Sequence, residues 1–128
     1  IKPVTPYTSK DLNWMDKTSR STIEMQDKSS HPEMAETLSS CAQYETVFVG
    51  FPIWWYEAPH IIETFLESCD LSGKTVVPFA TSGGSSMGKT AKILAPSCPG
   101  ATVLDGKVLR ASSSEADLKA WVSGLHLA

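Results

Sequence analysis

From residue 46 to the C-terminus, segments with strand character alternate with segments with helix character. Apolar and β-branched runs predict strands at 47–49, 75–80 and 101–109, the last bent at Asp105-Gly106. Apolar residues at helical spacing predict helices at 58–68, 87–94 and 115–125. Strands joined through single helices become parallel neighbours, with helices on both faces of the sheet. The predicted fold class is therefore α/β, with a three-layer parallel sheet.

Two details of these segments bear on the packing. Pro78 lies inside the second predicted strand, and a central strand disfavours proline because proline has no N–H to donate. In the last helix, after a cap at Ser113 or Ser114, four apolar residues are expected to face inward: Leu118, Trp121, Val122 and Leu125.

The first 45 residues carry a weaker pattern. Their predicted elements are the end of a strand at 1–4, a helix over 10–19 capped by Thr8 or Ser9, a loop around 27–32 and a helix over 33–40 after Pro32. The helix over 10–19 depends on Leu12 and Met15, which would share one face.

Composition excludes several classes of protein. The chain has 128 residues, enough for one domain, and a net charge of −3, so it lacks the basic surface that nucleic acids require. No apolar run is long enough to span a membrane. Cys41, Cys69 and Cys98 are far apart and include no CxxC pair, which indicates neither a zinc site nor a disulfide framework. We expect a cytoplasmic protein without bound metal, whose cysteines are structural.

Three aromatic residues, Trp54, Trp55 and Tyr56, follow the first strong strand where a loop should begin. Aromatic side chains on a loop expose apolar area, and such area favours association with a ligand or a partner. Flat, wide side chains at the end of a strand suit a flat, wide ligand. A conjugated ring system such as a flavin is the natural candidate.

A glycine- and serine-rich loop over 81–88 follows the next strand. Ligands of open α/β sheets bind beyond the carboxyl ends of the strands, so this loop and the aromatic loop are expected at one rim. Glycine lets a ligand approach the main chain closely, and the helix start that follows favours electron-rich atoms. Backbone N–H groups of residues 82–85 are candidate donors to the edge of a flavin, although a connector without any ligand has the same composition.

The loop also matches the P-loop pattern GxxxxGK[ST] over residues 83–90. In that interpretation Lys89 would contact phosphates, Thr90 would bind a metal ion, and Asp105 would end a strand beside it. The match is the less favoured interpretation, because P-loops usually follow the first strand and because it leaves the aromatic loop unexplained.

A second motif match is the nucleophile elbow GxSxG around Ser86, with Asp105 and His126 following in the order of a serine hydrolase. His126 lies two residues from the C-terminus, at the end of a predicted helix, and would have to return to the rim. This interpretation is also disfavoured.

Several blocks of the chain, in order, resemble the bacterial flavodoxin family. The longest are Val-Gly-Phe-Pro-Ile-Trp-Trp-Tyr-Glu-Ala-Pro at 49–59 and Leu-Ser-Gly-Lys-Thr-Val-Val-Pro-Phe-Ala-Thr-Ser-Gly-Gly-Ser at 71–85, with shorter blocks at 65–68 and 98–101. The resemblance implies a doubly wound, flavodoxin-like parallel sheet of strand order 2-1-3-4-5 that binds FMN without a covalent bond.

The resemblance also implies which residues contact the cofactor. The loop at 52–56 would pack along the isoalloxazine, and the loop at 81–84 would meet its polar edge. The candidate cofactor-binding residues are Pro52, Ile53, Trp54, Trp55, Tyr56, Thr81, Ser82, Gly83, Gly84 and Ser85. No residue stands out as a general acid or base, and none is predicted to be catalytic.

One departure from the family is large. The family begins with a strand, a phosphate-binding loop and a helix, and none of these precedes Ile1. The resemblance therefore implies one N-terminally truncated domain over 1–128. Without the first strand, the edge at 47–49 has no partner, so we expect that another chain supplies a strand there, that the chain pairs with itself, or that its N-terminal segment rearranges. Without the phosphate loop, FMN binding should be weak or absent.

The implied function is one- or two-electron transfer through FMN to redox partner proteins. The alternative within the same fold is an FMN-dependent quinone or nitro-group reductase. The alternative from another class is a non-catalytic remnant that acts as an oligomer without a cofactor. Among the remaining residues, His60 is expected at the surface and Trp14 is expected to pack inside the fold.

Overall fold

The computed structural model describes residues 1–36 and 41–127. Its helices are α1 (Arg20–Gln26), α2 (Ile61–Glu67), α3 (Thr90–Leu94) and α4 (Glu115–Gly124), with a 3-10 turn at Ala95–Ser97 after α3. Its strands are β1 (Thr46–Pro52), β2 (Thr75–Thr81), β3 (Thr102–Val103) and β4 (Lys107–Val108). The strands form one parallel sheet with helices on both faces, which confirms the predicted α/β class.

β2 is the central strand of the sheet. β1 pairs with it along its whole length, from Thr46 opposite Thr75 to Pro52 opposite Thr81. The two short strands β3 and β4 both pair with the other side of β2. Because every pair is parallel, the carboxyl ends of β1 and β2 meet at one rim. β1 is an outer strand, and no second strand pairs with it in the described part of the chain.

Pro78 is accommodated within β2 by a break in the neighbouring strand. The carbonyls of Val76 and Ala80 accept backbone bonds from the β3 and β4 side, at 2.9 Å and 2.7 Å. Alternate residues of a strand point their polar groups to the same side, so the nitrogen of Pro78 faces the stretch between these bonds. There the chain turns at Gly106, whose φ is 77°. The strand predicted over 101–109 is accordingly divided into β3 and β4. Pro78, which has no N–H to donate, lies opposite the gap between these two strands.

The main core lies between one face of the sheet and the helices α2 and α3. Its buried apolar side chains include Val49 and Phe51 of β1, Val76 and Ala80 of β2, Ile61, Ile62, Phe65 and Leu66 of α2, and Leu94 of α3. Burying each large aliphatic or aromatic side chain contributes about 1.5–3 kcal/mol to folding. This part of the fold follows the apolar periodicity of the sequence.

The opposite face of the sheet is covered by α4 through Trp121. Its ring meets Phe48 at 6.2 Å and Phe79 at 6.5 Å, both edge to face. No residue of α4 is buried, and Leu118 and Val122 are exposed. The expectation that these two would face inward is wrong, because α4 packs only loosely on the rest of the fold and meets the rings of Phe48 and Phe79 through Trp121. No helix in the described ranges has both the length and the apolar character that a membrane crossing needs.

The first helix occupies a different position from the one predicted. Residues 10–19 form successive turns, and the helix α1 starts at Arg20. Leu12 and Met15, which suggested an apolar face, are both exposed. The side chain of Ser19 caps α1 by accepting the N–H of Thr22 at 3.4 Å. α1 instead buries Ser21, Thr22 and Met25. The buried face of this helix is therefore rich in hydroxyl groups and has no apolar periodicity in the sequence.

The segment between α1 and β1 is irregular. Asp27 starts the expected loop by accepting the N–H of Ser29 at 3.0 Å. Pro3 and Met34 form an isolated antiparallel bridge, which is the strand character that residues 1–4 show. Residues 33–36 are therefore not helical, and the predicted helix over 33–40 is wrong there. The rest of that helix, 37–40, lies outside the described residues.

Candidate functional site

The aromatic loop and the glycine-serine loop leave the sheet side by side. Pro52, the last residue of β1, is the register partner of Thr81, the last residue of β2. The next residue, Ile53, donates its N–H to the Thr81 carbonyl at 2.9 Å. The two loops consequently share one rim, as the order of elements predicted.

The aromatic loop is a tight two-residue turn. The N–H of Trp54 donates to the Glu57 carbonyl at 2.9 Å, and the N–H of Glu57 donates back to the Trp54 carbonyl at 3.1 Å. Between them Trp55 and Tyr56 have φ values of 46° and 68°, a left-handed conformation that such turns usually give to Asn and Gly. For bulky residues it costs about 1–2 kcal/mol each. The turn displays the two rings outward, and Tyr56 is 75% exposed.

A buried histidine holds the base of this turn. His60 is only 2% exposed, so the expectation of a surface histidine is wrong. Its Nε2 lies 2.9 Å from Glu57 Oε1, and this contact directs the Glu57 carboxylate toward the helix α2. The other ring nitrogen, Nδ1, is buried without a hydrogen-bond partner. His60 precedes α2, where no apolar pattern signals burial, and for that reason the sequence did not identify it.

The glycine-serine loop presents open backbone. A Cβ added at Gly83 or Gly84 would meet no protein atom within 4 Å, and neither residue has a positive φ. The N–H of Gly84 donates to Ser82 Oγ at 3.1 Å, so this predicted donor to a ligand is already engaged. The N–H groups of Gly83 and Ser85 have no acceptor among the described residues. Packing and backbone strain therefore do not account for the glycine pair.

A third segment completes the cleft. Eight of the ten predicted site residues line a space of about 610 Å³ together with Leu12, Trp14 and Ser21. The eight are Ile53, Trp54, Trp55, Tyr56, Ser82, Gly83, Gly84 and Ser85. Trp14 is 69% exposed, so the expectation that it packs inside the fold is wrong. The sequence signal that could have found it is a tryptophan in a polar, irregular segment, the same signal that identified the aromatic loop.

The remaining two predicted residues, Pro52 and Thr81, lie at the base of the loops and outside the lining of this cleft. Thr81 borders a neighbouring cavity of about 460 Å³, which lies between the glycine-serine loop and residues 108–111 at the end of β4 and just after it. Pro52 is exposed at the end of β1. Their place in the site is to set where each loop begins.

A stacked cluster ties the N-terminal segment to the aromatic loop. The Tyr7 ring meets Trp54 edge to face at 5.3 Å, and the guanidinium of Arg20 lies 3.9 Å above the Tyr7 ring. Arg20 Nε also pairs with Glu24 Oε2 at 2.8 Å, and the Tyr7 hydroxyl donates to the same carboxylate. Burial, and next the hydrogen bond to Glu24, raise the pKa of Tyr7 above its usual range. These contacts fix the segment that carries Leu12 and Trp14.

Neither the P-loop match nor the nucleophile-elbow match has the side-chain contacts that its chemistry requires. Thr90 is fully buried, and its hydroxyl donates to the Met87 carbonyl at 2.5 Å, so it is not free to bind a metal ion on a nucleotide. Ser86, Asp105 and His126 are all described, and no hydrogen bond joins any two of them. The described residues also hold no group of three or more His, Cys, Asp or Glu side chains suited to a metal ion.

Comparison with known proteins identifies the family. The flavodoxin family model matches residues 1–125. A solved structure of a putative flavoprotein from Bacteroides eggerthii DSM 20697 is 43% identical with a TM-score of 0.88, covering 100% of this chain and 80% of its own. A second, from Bacteroides uniformis ATCC 8492, is 45% identical with a TM-score of 0.86, covering 96% and 78%. No curated protein matches the sequence. The chain belongs to the flavodoxin family.

Proposed function

We propose that this chain binds FMN in the cleft between the aromatic turn and the glycine-serine loop, and that it carries electrons between redox partner proteins. The observation that carries the proposal is the convergence of eight predicted contact residues on one cleft in a member of the flavodoxin family. Both solved relatives also carry the name putative flavoprotein.

The lining of the cleft suits the ring of a flavin. Trp14, Trp55 and Tyr56 offer flat apolar surfaces on which a conjugated ring can stack. The free N–H groups of Gly83 and Ser85 can donate to the carbonyl edge of the ring, and the open space at Gly83 and Gly84 lets the ring approach the main chain. When bound, a flavin supplies one- or two-electron redox chemistry.

The cleft favours a carrier over a substrate-specific reductase. The cleft lining holds no Asp, Glu, His, Lys or Cys side chain that a reductase could use to move a proton, and its single titratable group is the exposed Tyr56 phenol. The nearest carboxylate on the aromatic turn, Glu57, is paired with His60. The exposed rings of Trp14 and Tyr56 leave the mouth of the cleft open to an approaching redox protein.

The lining also predicts how tightly FMN binds. No lysine or arginine is among the eleven residues that surround the cleft, so a phosphate group finds no cation there. Hydrogen bonds to a charged group contribute about 1.5–3 kcal/mol, which corresponds to roughly 10- to 150-fold in affinity. Without them, we expect FMN to bind weakly, and riboflavin, which lacks the phosphate, to bind within about threefold of FMN.

The test is a fluorescence titration of the purified chain with FMN and with riboflavin. We expect Trp14→Ala and Trp55→Ala each to lower the affinity for both flavins about tenfold, since stacking of an aromatic pair is worth roughly 0.5–1.5 kcal/mol beyond burial. Tyr44→Ala is the matched control, because Tyr44 is an exposed aromatic just before β1, at the opposite end from the cleft.

Each outcome of this titration decides a separate part of the proposal. If neither flavin binds, the flavin site is wrong. If FMN binds far more tightly than riboflavin, or copurifies in equimolar amount, the site stands and the weak-binding prediction fails. If the flavin-loaded chain oxidises NADPH with a quinone at a catalytic rate, the reductase replaces the carrier.

A further inference from the structure

Two cysteines that are far apart in the sequence meet in the fold. Cys41 precedes β1 and Cys69 follows α2, yet their sulfur atoms are 3.6 Å apart. Both are free thiols. A disulfide needs a separation of about 2.05 Å between the sulfurs, so closing the pair requires a shift of roughly 1.5 Å. The sequence spacing gave no sign of this contact.

Each of the two cysteines borders a cavity that opens to solvent. Cys69 borders a cavity of about 540 Å³ between the end of α2 and the turn at 96–99. Cys41 borders a second cavity, also about 540 Å³, that runs along β1. Cys98 borders the same cavity as Cys69, but no sulfur contact between these two is present. The geometry therefore selects one pair among the three cysteines.

The surroundings of the pair favour a structural bond over a reactive thiol. Cys41 is buried in the main core. Burial, and next the contact with Cys41, raise the pKa of the Cys69 thiol above its usual value, so little thiolate is present at neutral pH. Neither cysteine lines the candidate flavin cleft.

We propose that Cys41 and Cys69 form an intramolecular disulfide when the chain meets a small-molecule disulfide such as oxidised glutathione. One cysteine attacks the reagent as its thiolate, forming a mixed disulfide and releasing one glutathione thiolate. The second cysteine attacks the protein sulfur of that mixed disulfide and releases the other glutathione. The two protein thiols lose two electrons, the reagent gains them, and the two protons end on the two released thiols.

The bond would tie the entry of β1 to the exit of α2. The closed loop spans 28 residue steps and contains β1, the aromatic turn and α2. Closing a loop of this length lowers the entropy of the unfolded chain, and the corresponding rise in melting temperature is on the order of 10 °C. Flavin affinity should change less than twofold, because the pair lies away from the cleft.

The experiment compares the reduced chain with the chain equilibrated in oxidised glutathione. We expect the count of titratable thiols in denaturant to fall from three to one, a peptide map that links Cys41 to Cys69, and a higher melting temperature that dithiothreitol reverses. Cys98→Ser should keep the link and the shift. Cys69→Ser and, separately, Cys41→Ala should abolish both, and each reduced variant reports whether it still folds.

Other products would overturn the proposal. Stable glutathione adducts without an internal link would show that the two sulfurs do not close. A link between Cys69 and Cys98 would show that the wrong pair had been selected. A link between Cys41 and Cys69 that lowers the melting temperature would show that the native fold does not accommodate the bond.

Discussion

At the scale of single residues, the fold does not explain why positions 83 and 84 are glycine. Neither needs a positive φ, and neither has a neighbour within 4 Å of a Cβ. Gly84→Ala should therefore leave the chain as stable as before, or stabilise it by about 0.4–1 kcal/mol through the unfolded state. If the flavin ring approaches the main chain there, the same substitution should lower the affinity for FMN about tenfold or more.

Paired measurements of unfolding and of FMN binding check this prediction. Gly124→Ala is the control, because that glycine also has open space around it and lies at the end of α4. It should match Gly84→Ala in stability without changing FMN affinity. An unchanged affinity in Gly84→Ala would remove the reason for placing a ligand against the loop.

Glu63 predicts a pH dependence of stability. Burial raises the pKa of this α2 carboxyl, with His60 and His31 lowering it and Glu57 and Glu67 raising it to smaller extents. A group whose pKa is raised by folding favours its protonated form in the folded state. Its contribution is thus complete below the pKa of the unfolded chain and is lost as pH rises through the folded pKa.

Glu63→Gln should therefore be more stable than the natural chain at pH 7, with the difference vanishing in the acid range below the usual pKa of glutamate. Urea midpoints between pH 3 and pH 7 measure it. Glu115→Gln, an exposed change on α4, should show almost no such trend. A Glu63→Gln chain that is less stable at pH 7 would contradict the sign.

At the scale of elements, the break between β3 and β4 depends on Gly106. A Cβ there would lie 2.2 Å from the Pro78 carbonyl oxygen, and φ is 77°. Gly106→Ala should cost about 3 kcal/mol or more, from the clash together with the left-handed backbone. Gly73→Ala is the matched control, since its φ is 76° and nothing lies within 4 Å. It should cost about 1–2 kcal/mol, and equal losses in the two variants would show that the contact with Pro78 is unimportant.

The elements that the sequence predicted well are those whose burial follows a simple period. In β1, α2 and β2, apolar residues recur at strand or helix spacing and the same residues form the core. In the first 36 residues the pattern misled, because Leu12 and Met15 are exposed while Ser21 and Thr22 are buried. Hydroxyl groups satisfied by local hydrogen bonds position α1, and hydrophobic periodicity does not detect them.

The candidate site divides in the same way. The aromatic turn and the glycine-serine loop could be predicted because each follows a strand of a parallel sheet, and such loops meet at one rim. The burial of His60 could not be predicted, since it depends on how the turn folds back onto α2. Trp14 carried a usable signal, a tryptophan in a polar segment, but its place in the cleft depends on how an irregular segment folds. The Tyr7–Trp54 contact joins residues that are distant in the sequence, and the Glu57–His60 contact spans three residues across the end of the turn.

At the scale of the whole molecule, β1 has an exposed edge that pairs with no strand among residues 1–36 and 41–127. Phe48 on this strand is 43% exposed, and a groove of about 540 Å³ that includes Ile1 and Tyr44 runs beside it. An unpaired apolar edge is a template for association. The expectation that the chain pairs with itself there stays a prediction.

Sedimentation velocity over a range of concentrations tests that prediction, and we expect the natural chain to shift from monomer to dimer. Phe48→Lys should move the equilibrium toward monomer by about tenfold, because a charge on an edge strand disfavours pairing. Ile93→Lys adds the same charge at an exposed apolar position on α3 and should have little effect. A natural chain that remains monomeric at every concentration would contradict the prediction.

The cleft draws its lining from three stretches that are distant along the chain, around residues 12–21, 53–56 and 82–85. A molecule seated there would cross-link the N-terminal arm and both halves of the sheet's rim without any covalent bond. At a hundred times its dissociation constant it would add about 2.7 kcal/mol to the stability of all three together. The melting temperature of the whole chain can therefore be used to screen for ligands. Compounds that raise it identify what the cleft binds, and no redox assay is needed.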